Sequence, residues 1–305
     1  MKTNSVQTYV GHTNWVRSVA VSPDSTQVLT GSADGTVRLW DLHSGTELSR
    51  FLSQGKAKAD VSAVCFSSDG KRALVGSWGE TRIRVSHAAW FIDLQTGAEL
   101  QRFSPDMPIL SLSLSKDSSY VATSHGSVVI LWDAQTGIRL WEYNALNSHV
   151  VISPDNTHVF IGGESLAALD LRTGKELQRF PMDTSLSHLR GLAVSADGQY
   201  LLSSNRNWGK LWDALKSTPL GYFRHEEEYA IVRTVAFSPN NKYIATGGEK
   251  TPTYLWNMQT RQPLERFVGH TGMILSVAFS PDEDYLLTSS ADRTVRLWDL
   301  SLPKV

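Results

Sequence analysis

The 305-residue chain has a single cysteine, Cys65, so an internal disulfide is excluded. No apolar run approaches the ~18 residues of a membrane-spanning helix, and the opening MKTNSVQTYV has no apolar core of signal-peptide length. Neither charge is in excess: 29 Lys plus Arg face 30 Asp plus Glu. That balance excludes the broad basic surface of a general nucleic-acid or acidic-membrane binder and leaves any charged site local. The nine histidines are scattered without metal-ligand spacing, and the Gly-rich stretches lack a phosphate-loop pattern. The expectation is a cytoplasmic chain that is not inserted in a membrane, with no cofactor, no metal and no catalytic residues.

What the chain does have is internal repetition, in three registers. A Ser-x-Asp or Ser-x-Asn turn begins at Ser22, Ser67, Ser115, Ser153, Ser195, Ser238 and Ser280, each after alternating apolar residues such as VRSVAVS or VRTVAFS. Period-two alternation closed by Ser-Pro-Asp describes a half-buried strand and its turn, since Pro presets φ and Asp caps through its side chain. The second register lies 14 to 16 residues beyond most of these turns, at Trp40, Trp132, Leu169, Trp212, Trp256 and Trp298, each followed by Asp or Asn. In the second unit Ile92-Asp93 comes after 23 residues. The third register is a short apolar run closing six of the units, as in GTELSRF, GAELQRF and RQPLERF.

Four short strands per unit follow. Successive positions of the second register fall 37 to 52 apart, mostly near 42, which is the length of one four-stranded propeller blade. Each such sheet has two apolar faces and must be sandwiched between like sheets, so a closed ring buries what an open stack would expose.

Gly-His, Ser-Pro-Asp and Trp-Asp, in this order through seven units, resemble the WD-repeat family of β-propellers. The expected fold is all-β, a seven-bladed propeller of four-stranded antiparallel blades forming one domain over 1–305. The blades are expected near 15–51, 60–103, 107–143, 147–180, 188–223, 229–267 and 272–300, the last completed by 5–10. Alignment of VQTYVGH with LERFVGH puts Tyr9 at the place of Phe267, so Ser5 to Val10 should be the outer strand of blade seven. The resemblance also implies a hydrogen-bonded chain of His, Thr, Asp and Trp, matched by His12, Thr30, Asp34 and Trp40 in blade one and by His270, Thr288, Asp292 and Trp298 in blade seven. A catalytic reading of these residues is poor, because the indole is inert and the set recurs in two blades. Blade six has Lys250 at the Asp position, and blade four lacks both His and Trp.

In this family one face, the top, carries the channel mouth and is often used for partner peptides. Alignment on the Ser-x-Asp turn makes Arg17, Ser62, Leu110, Ser148, Arg190, Arg233 and Leu275 equivalent, with Trp15, Asp60, Pro108, Leu146, His188, Ile231 and Met273 two positions earlier. Trp15, Arg17, Leu110, His188, Arg190, Arg233, Met273 and Leu275 mix cationic forks with apolar and aromatic surface, as interface hot spots do. The candidate partner is a protein or peptide, acidic or phosphorylated, bound by a monomeric propeller within a larger complex, or presented by it to an enzyme on another chain. Blade two carries seven extra residues within SWGETRIRVSHAAW, where Trp78, Arg82, Arg84, His87 and Trp90 cluster; insertions in repeats often map to the binding face.

Three other readings are weaker. A propeller hydrolase would need paired acids, and only Asp60 falls near the mouth. Phosphoinositide-binding propellers carry Phe-Arg-Arg-Gly, whereas Phe223-Arg224-His225 is followed by Glu226, Glu227 and Glu228, which would repel an anionic headgroup and read as a solvated loop. Specific nucleic-acid binding lacks the interleaved basic and aromatic strands it needs.

Overall fold

A computed structural model describes residues 5–52, 59–78, 87–105, 107–146, 148–182 and 188–300. Among these residues, 28 strands form seven four-stranded antiparallel sheets in a ring, and no helix is long and apolar enough to cross a membrane. Blade one runs from the channel outward through Val16–Val21, Gln27–Ser32, Thr36–Asp41 and Glu47–Leu52. The inner strands that follow are Asp60–Phe66, Ser111–Leu114, His149–Ile152, Gly191–Val194, Ile231–Phe237 and Ile274–Phe279.

Burial explains why the apolar patterns differ along a blade. The second and third strands are buried on both faces, because each sheet is covered by its two neighbours. The outer strand alternates, as Glu47–Leu52 does. The inner strand departs from the simple alternation its sequence suggests. In VRSVAV the buried residues are Val16 and Val19, three apart, because the ladder skips Arg17: Val16 pairs with Ser32 and Ser18 with Gly31. The same bulge falls at Ser62, Arg233 and Leu275. A bulge re-aims its extra residue, and in each of these four blades it frees one side chain at the start of the inner strand.

The core is divided into seven clusters, each built from two adjacent blades. At five of these interfaces an outer-strand ring packs against the third-strand Trp of the next blade. The pairs are Phe103 with Trp132 at 5.9 Å, Phe180 with Trp212 at 5.6 Å, Phe223 with Trp256 at 5.8 Å, Phe267 with Trp298 at 5.3 Å and Tyr9 with Trp40 at 5.9 Å between centroids. Hydroxyls on the inner strands add links around the channel. The N–H of Val64 donates to Ser18 Oγ at 3.1 Å, that of Ile152 to Ser113 Oγ at 3.0 Å and that of Val277 to Thr234 Oγ1 at 3.2 Å.

Closure uses the segment before blade one. Gln7–Val10 pairs antiparallel with Thr294–Asp299, Gln7 opposite Leu297 and Tyr9 opposite Val295. The strand is shorter than Ser5 to Val10, although the N–H of Val6 still donates to Leu297 O at 2.8 Å. Tyr9 is buried against Val16, Val28 and Trp40 of blade one, and its hydroxyl donates to Leu42 O at 2.5 Å. Tyr9→Ala should therefore destabilise the fold by about 3–5 kcal/mol, the cost of removing a buried aromatic ring. Tyr9→Phe should cost about 1–3 kcal/mol by orphaning a buried carbonyl. Urea unfolding checks both; a Tyr9→Ala chain as stable as the parent would mean this strand does not hold the ring shut.

Candidate functional site

The loops on the face where the inner strands begin are tied to one another by buried side chains. In blade one His12 Nδ1 lies 2.8 Å from Asp34 Oδ2 and Nε2 2.7 Å from Thr30 Oγ1, while the Trp40 indole N–H donates to Thr30 Oγ1 at 2.9 Å. Burial lowers the affinity of His12 for a second proton, against the opposing pull of Asp34. With the imidazole neutral, Nδ1–H donates to Asp34 and Nε2 accepts from the Thr30 hydroxyl. Burial alone would raise the Asp34 carboxyl; bonds from His12, from the Thr36 hydroxyl and from the Thr13 N–H outweigh it and hold it well below the usual carboxylate range. Blade seven repeats the set, with His270 2.7 Å from Asp292 and 2.8 Å from Thr288 Oγ1, and Trp298 donating to Thr288 at 2.9 Å.

Two other blades reach the same end with different residues. In blade three the imidazole comes from the opposite loop: His125 lies 3.0 Å from Thr123 Oγ1, which accepts from Trp132 at 2.8 Å, and its Nδ1 is 3.1 Å from Met107 O. In blade six His225 bonds Thr246 Oγ1 at 2.7 Å and Thr251 Oγ1 at 2.6 Å. The carboxylate missing at Lys250 is supplied by Glu227, which accepts from Thr251 at 3.0 Å and from the Tyr254 hydroxyl at 3.0 Å. Glu226 pairs with Arg266 at 2.6 Å. The acidic run is thus partly structural, and the expectation of a solvated loop is corrected.

Inside this rim the seven aligned positions converge. Arg17, Ser62, Leu110, Ser148, Arg190, Arg233 and Leu275 all line one central cavity of about 600 Å³, which also takes in Trp78, His149 and His188. The three arginines are not alike. Arg17 Nη2 donates to Asp60 at 2.9 Å, and its guanidinium carbon lies 5.5 Å from the Trp15 ring centre and 5.8 Å from that of Trp78. Both indoles are accessible, Trp15 to 40% and Trp78 to 39%. Arg233 is ion-paired with Glu249 on the second strand of its own blade. Arg190 is exposed; its backbone N–H donates to Ser204 O at 2.9 Å, and among the described residues no carboxylate pairs with its guanidinium. Met273 lies apart, in a recess of about 470 Å³ between blades six and seven.

The blade-two insertion divides. Trp90 is a core residue, 2% exposed, with the Arg102 guanidinium 5.4 Å above its ring, so its place in a surface cluster is corrected. Arg82 and Arg84 lie outside the described residues. Among the described residues no group of three or more His, Cys, Asp or Glu is placed to hold a metal ion. Cys65 faces the interface of blades two and three, where burial pushes its thiol up to about 12.

Known proteins give the same picture by similarity. The model of the WD domain, G-beta repeat, matches residues 3–41, 47–83, 217–251 and 261–299. The WD repeat-containing protein 26 homolog of Drosophila melanogaster is 26% identical over 271 residues, covering 82% of this chain and 40% of that protein. The WD repeat-containing protein WDS homolog of Arabidopsis thaliana is 23% identical over 286 residues, covering 88% of this chain and 52% of that protein. This chain therefore spans about half the length of those two relatives. Eukaryotic translation initiation factor 3 subunit I of Culex quinquefasciatus is 26% identical over 284 residues, 88% of this chain and 76% of its own length.

The buried imidazoles make the loop face sensitive to acid. Burial pushes His225 down to about 3, helped by the Arg266 charge, and also lowers His125. In an unfolded chain these groups titrate near 6.5. Below that pH the unfolded chain takes up protons that the folded one refuses, so the stability they give is complete above about 6.5 and is lost as pH falls toward 3. The urea midpoint should fall steadily between pH 7 and 4, and His225→Ala should make that slope shallower by up to about 1.4 kcal/mol per pH unit. A midpoint independent of pH in this range would contradict the buried, neutral imidazoles.

Proposed function

The chain belongs to the WD-repeat family, and on that premise we propose that it is a non-enzymatic scaffold whose channel mouth binds a protein or peptide. The observation that carries this reading is the arrangement at blades one and two. An Arg is held between two half-exposed tryptophans and neutralised by Asp60. Holding the guanidinium between rings and a carboxylate limits its motion, so less freedom is lost when a partner docks. Trp and Arg in a preorganised, partly desolvated cluster are the residues that dominate binding energy at protein interfaces. Leu110 and Leu275 continue the apolar surface around the cavity.

The expected partner segment carries an aromatic or aliphatic anchor for the indole pair and an acidic or phosphorylated group. Its charge is directed to the part of the mouth where Arg190 is unpaired, because Arg17 and Arg233 already have carboxylates. A role as a subunit within a larger assembly is supported by the relative whose name describes it as a subunit of an initiation factor. Presentation of a bound segment to an enzyme on another chain is the regulatory form of this reading. Against a phosphoinositide role, Glu226 and Glu227 are engaged beside the Phe223-Arg224-His225 string.

Selection of a random peptide display library on the folded chain tests the site. Enriched peptides should lose at least tenfold in affinity with Trp15→Ala or Trp78→Ala, and more with both, while the thermal midpoint stays within a few degrees. Peptides that bind both variants as tightly as the parent would place the binding surface elsewhere.

A further inference from the structure

The mouth is chemically uneven, and the unevenness is concentrated between blades four and five. Ser148 is 2% exposed, and its hydroxyl has no hydrogen-bond partner. His188 Nδ1 is buried and equally without one. His188 is held at φ +76°, a left-handed conformation that a non-glycine residue adopts at a cost. Arg190 follows two residues later, exposed and unpaired among the described residues, and His149 lines the same wall. An unpaired buried donor is costly, and few native groups are left so without a ligand or water to meet them. Two orphaned buried polar atoms and one guanidinium without a carboxylate belong to residues that line the same cavity, a different situation from blades one and six, where each mouth arginine has its carboxylate.

We propose that Arg190, His188 and Ser148 form an oxyanion subsite, which takes a single carboxylate or phosphate group at the blade-four and blade-five side of the channel mouth. The guanidinium supplies a charge-assisted fork, the Ser148 hydroxyl a neutral donor, and His188 a ring N–H in the Nδ1 tautomer. Among the described residues no Asp or Glu lines the cavity to repel such a group. His149 stays neutral there, since burial and the Arg190 charge push it down to about 4, so it adds no second cation and the site holds one anionic group. The subsite rests on the reading of the mouth as a docking surface and deepens it. A partner would be gripped at two separated points, an apolar anchor at Trp15 and Trp78 and an anion across the channel.

The probe is inorganic phosphate, titrated against chloride at constant ionic strength and pH 7.5, with the imidazole C–H signals of His188 and His149 followed by NMR. Saturable shifts are expected, with the apparent Kd raised at least tenfold in Arg190→Gln and several-fold in Ser148→Ala. Arg139→Gln, on the outer strand of blade three away from the mouth, should stay within twofold. A parallel titration with acetate separates the sources: saturation by both anions identifies a general oxyanion site, and saturation by phosphate alone a phosphate site. Shifts that rise linearly with both anions, or that are the same in Arg190→Gln as in the parent, would overturn the proposal. Neither readout needs a partner protein. Failure here with peptides still bound at Trp15 and Trp78 would remove the subsite and leave the docking surface, while phosphate binding without peptide binding would do the reverse.

Discussion

The interface between one blade and the next is the constraint on which the rest of this molecule depends. A four-stranded sheet of this length has no core of its own, and its two inner sheet faces become interior only when a neighbour lies on each side. The third-strand tryptophan sets the spacing. Its ring meets the outer-strand aromatic of the preceding blade, and its N–H is fixed by a second-strand hydroxyl, as Trp212 is by Ser203 at 2.9 Å. The same residue thus joins packing between blades to hydrogen bonding within one, and it tells each sheet where its neighbour must sit. Blade four, which has Leu169 in that position, shows how the constraint is met otherwise. Trp141 on the outer strand of blade three reaches across and donates its N–H to Leu171 O at 2.7 Å. The indole is retained at the interface and comes from the other partner.

From this rigid ring follows the character of the mouth. The histidine networks lock the loops of blades one, three, six and seven, and the bulges at Arg17, Ser62, Arg233 and Leu275 turn one side chain in each of four blades toward the channel. Chemistry at the mouth is therefore set by single residues at one repeated position, on a frame that does not have to reorganise. Because the repeat is degenerate, each of the seven positions can differ without disturbing the others, and the mouth has become an aromatic cluster on one side and an unpaired cation with orphaned donors on the other.

The fold was legible because three registers recur, and each encodes a separate physical requirement: a turn, an interface ring and an outer edge. The lining of the channel was legible for the same reason, since equivalent positions in a ring must face the same axis. The charge state of that lining was not. The alignment put Asp60 near the mouth, two positions before Ser62, without its pairing to Arg17 of the neighbouring blade, and Glu249, which ends the second strand of blade six opposite Ile231, lies outside the aligned positions. The bulge at Arg17 was hidden because VRSVAV alternates well enough to suggest an unbroken strand. His125 and Glu227 were missed for a related reason. Each performs the task of a repeat residue from a position outside the repeat, so alignment by register passes over it. Trp90 erred the other way: its neighbours in sequence suggested surface, and the third strand it belongs to is enclosed by two blades.

The closing strand has a consequence for how the chain is made. Gln7–Val10 pairs with Thr294–Asp299, and the same seam is linked where the Asp282 N–H donates to Ser25, 257 positions away in sequence. The strand of this ring that is made first is thus the last to find its partner. At ribosomal rates of about 5–20 residues per second, it waits on the order of 15 to 60 s as an unpaired edge, the state in which strands recruit the wrong neighbour. Its shortness, four residues, limits that hazard. Every other blade is complete once its own outer strand has been made, so the ring has one seam, and the slow, long-range step of folding is confined to it.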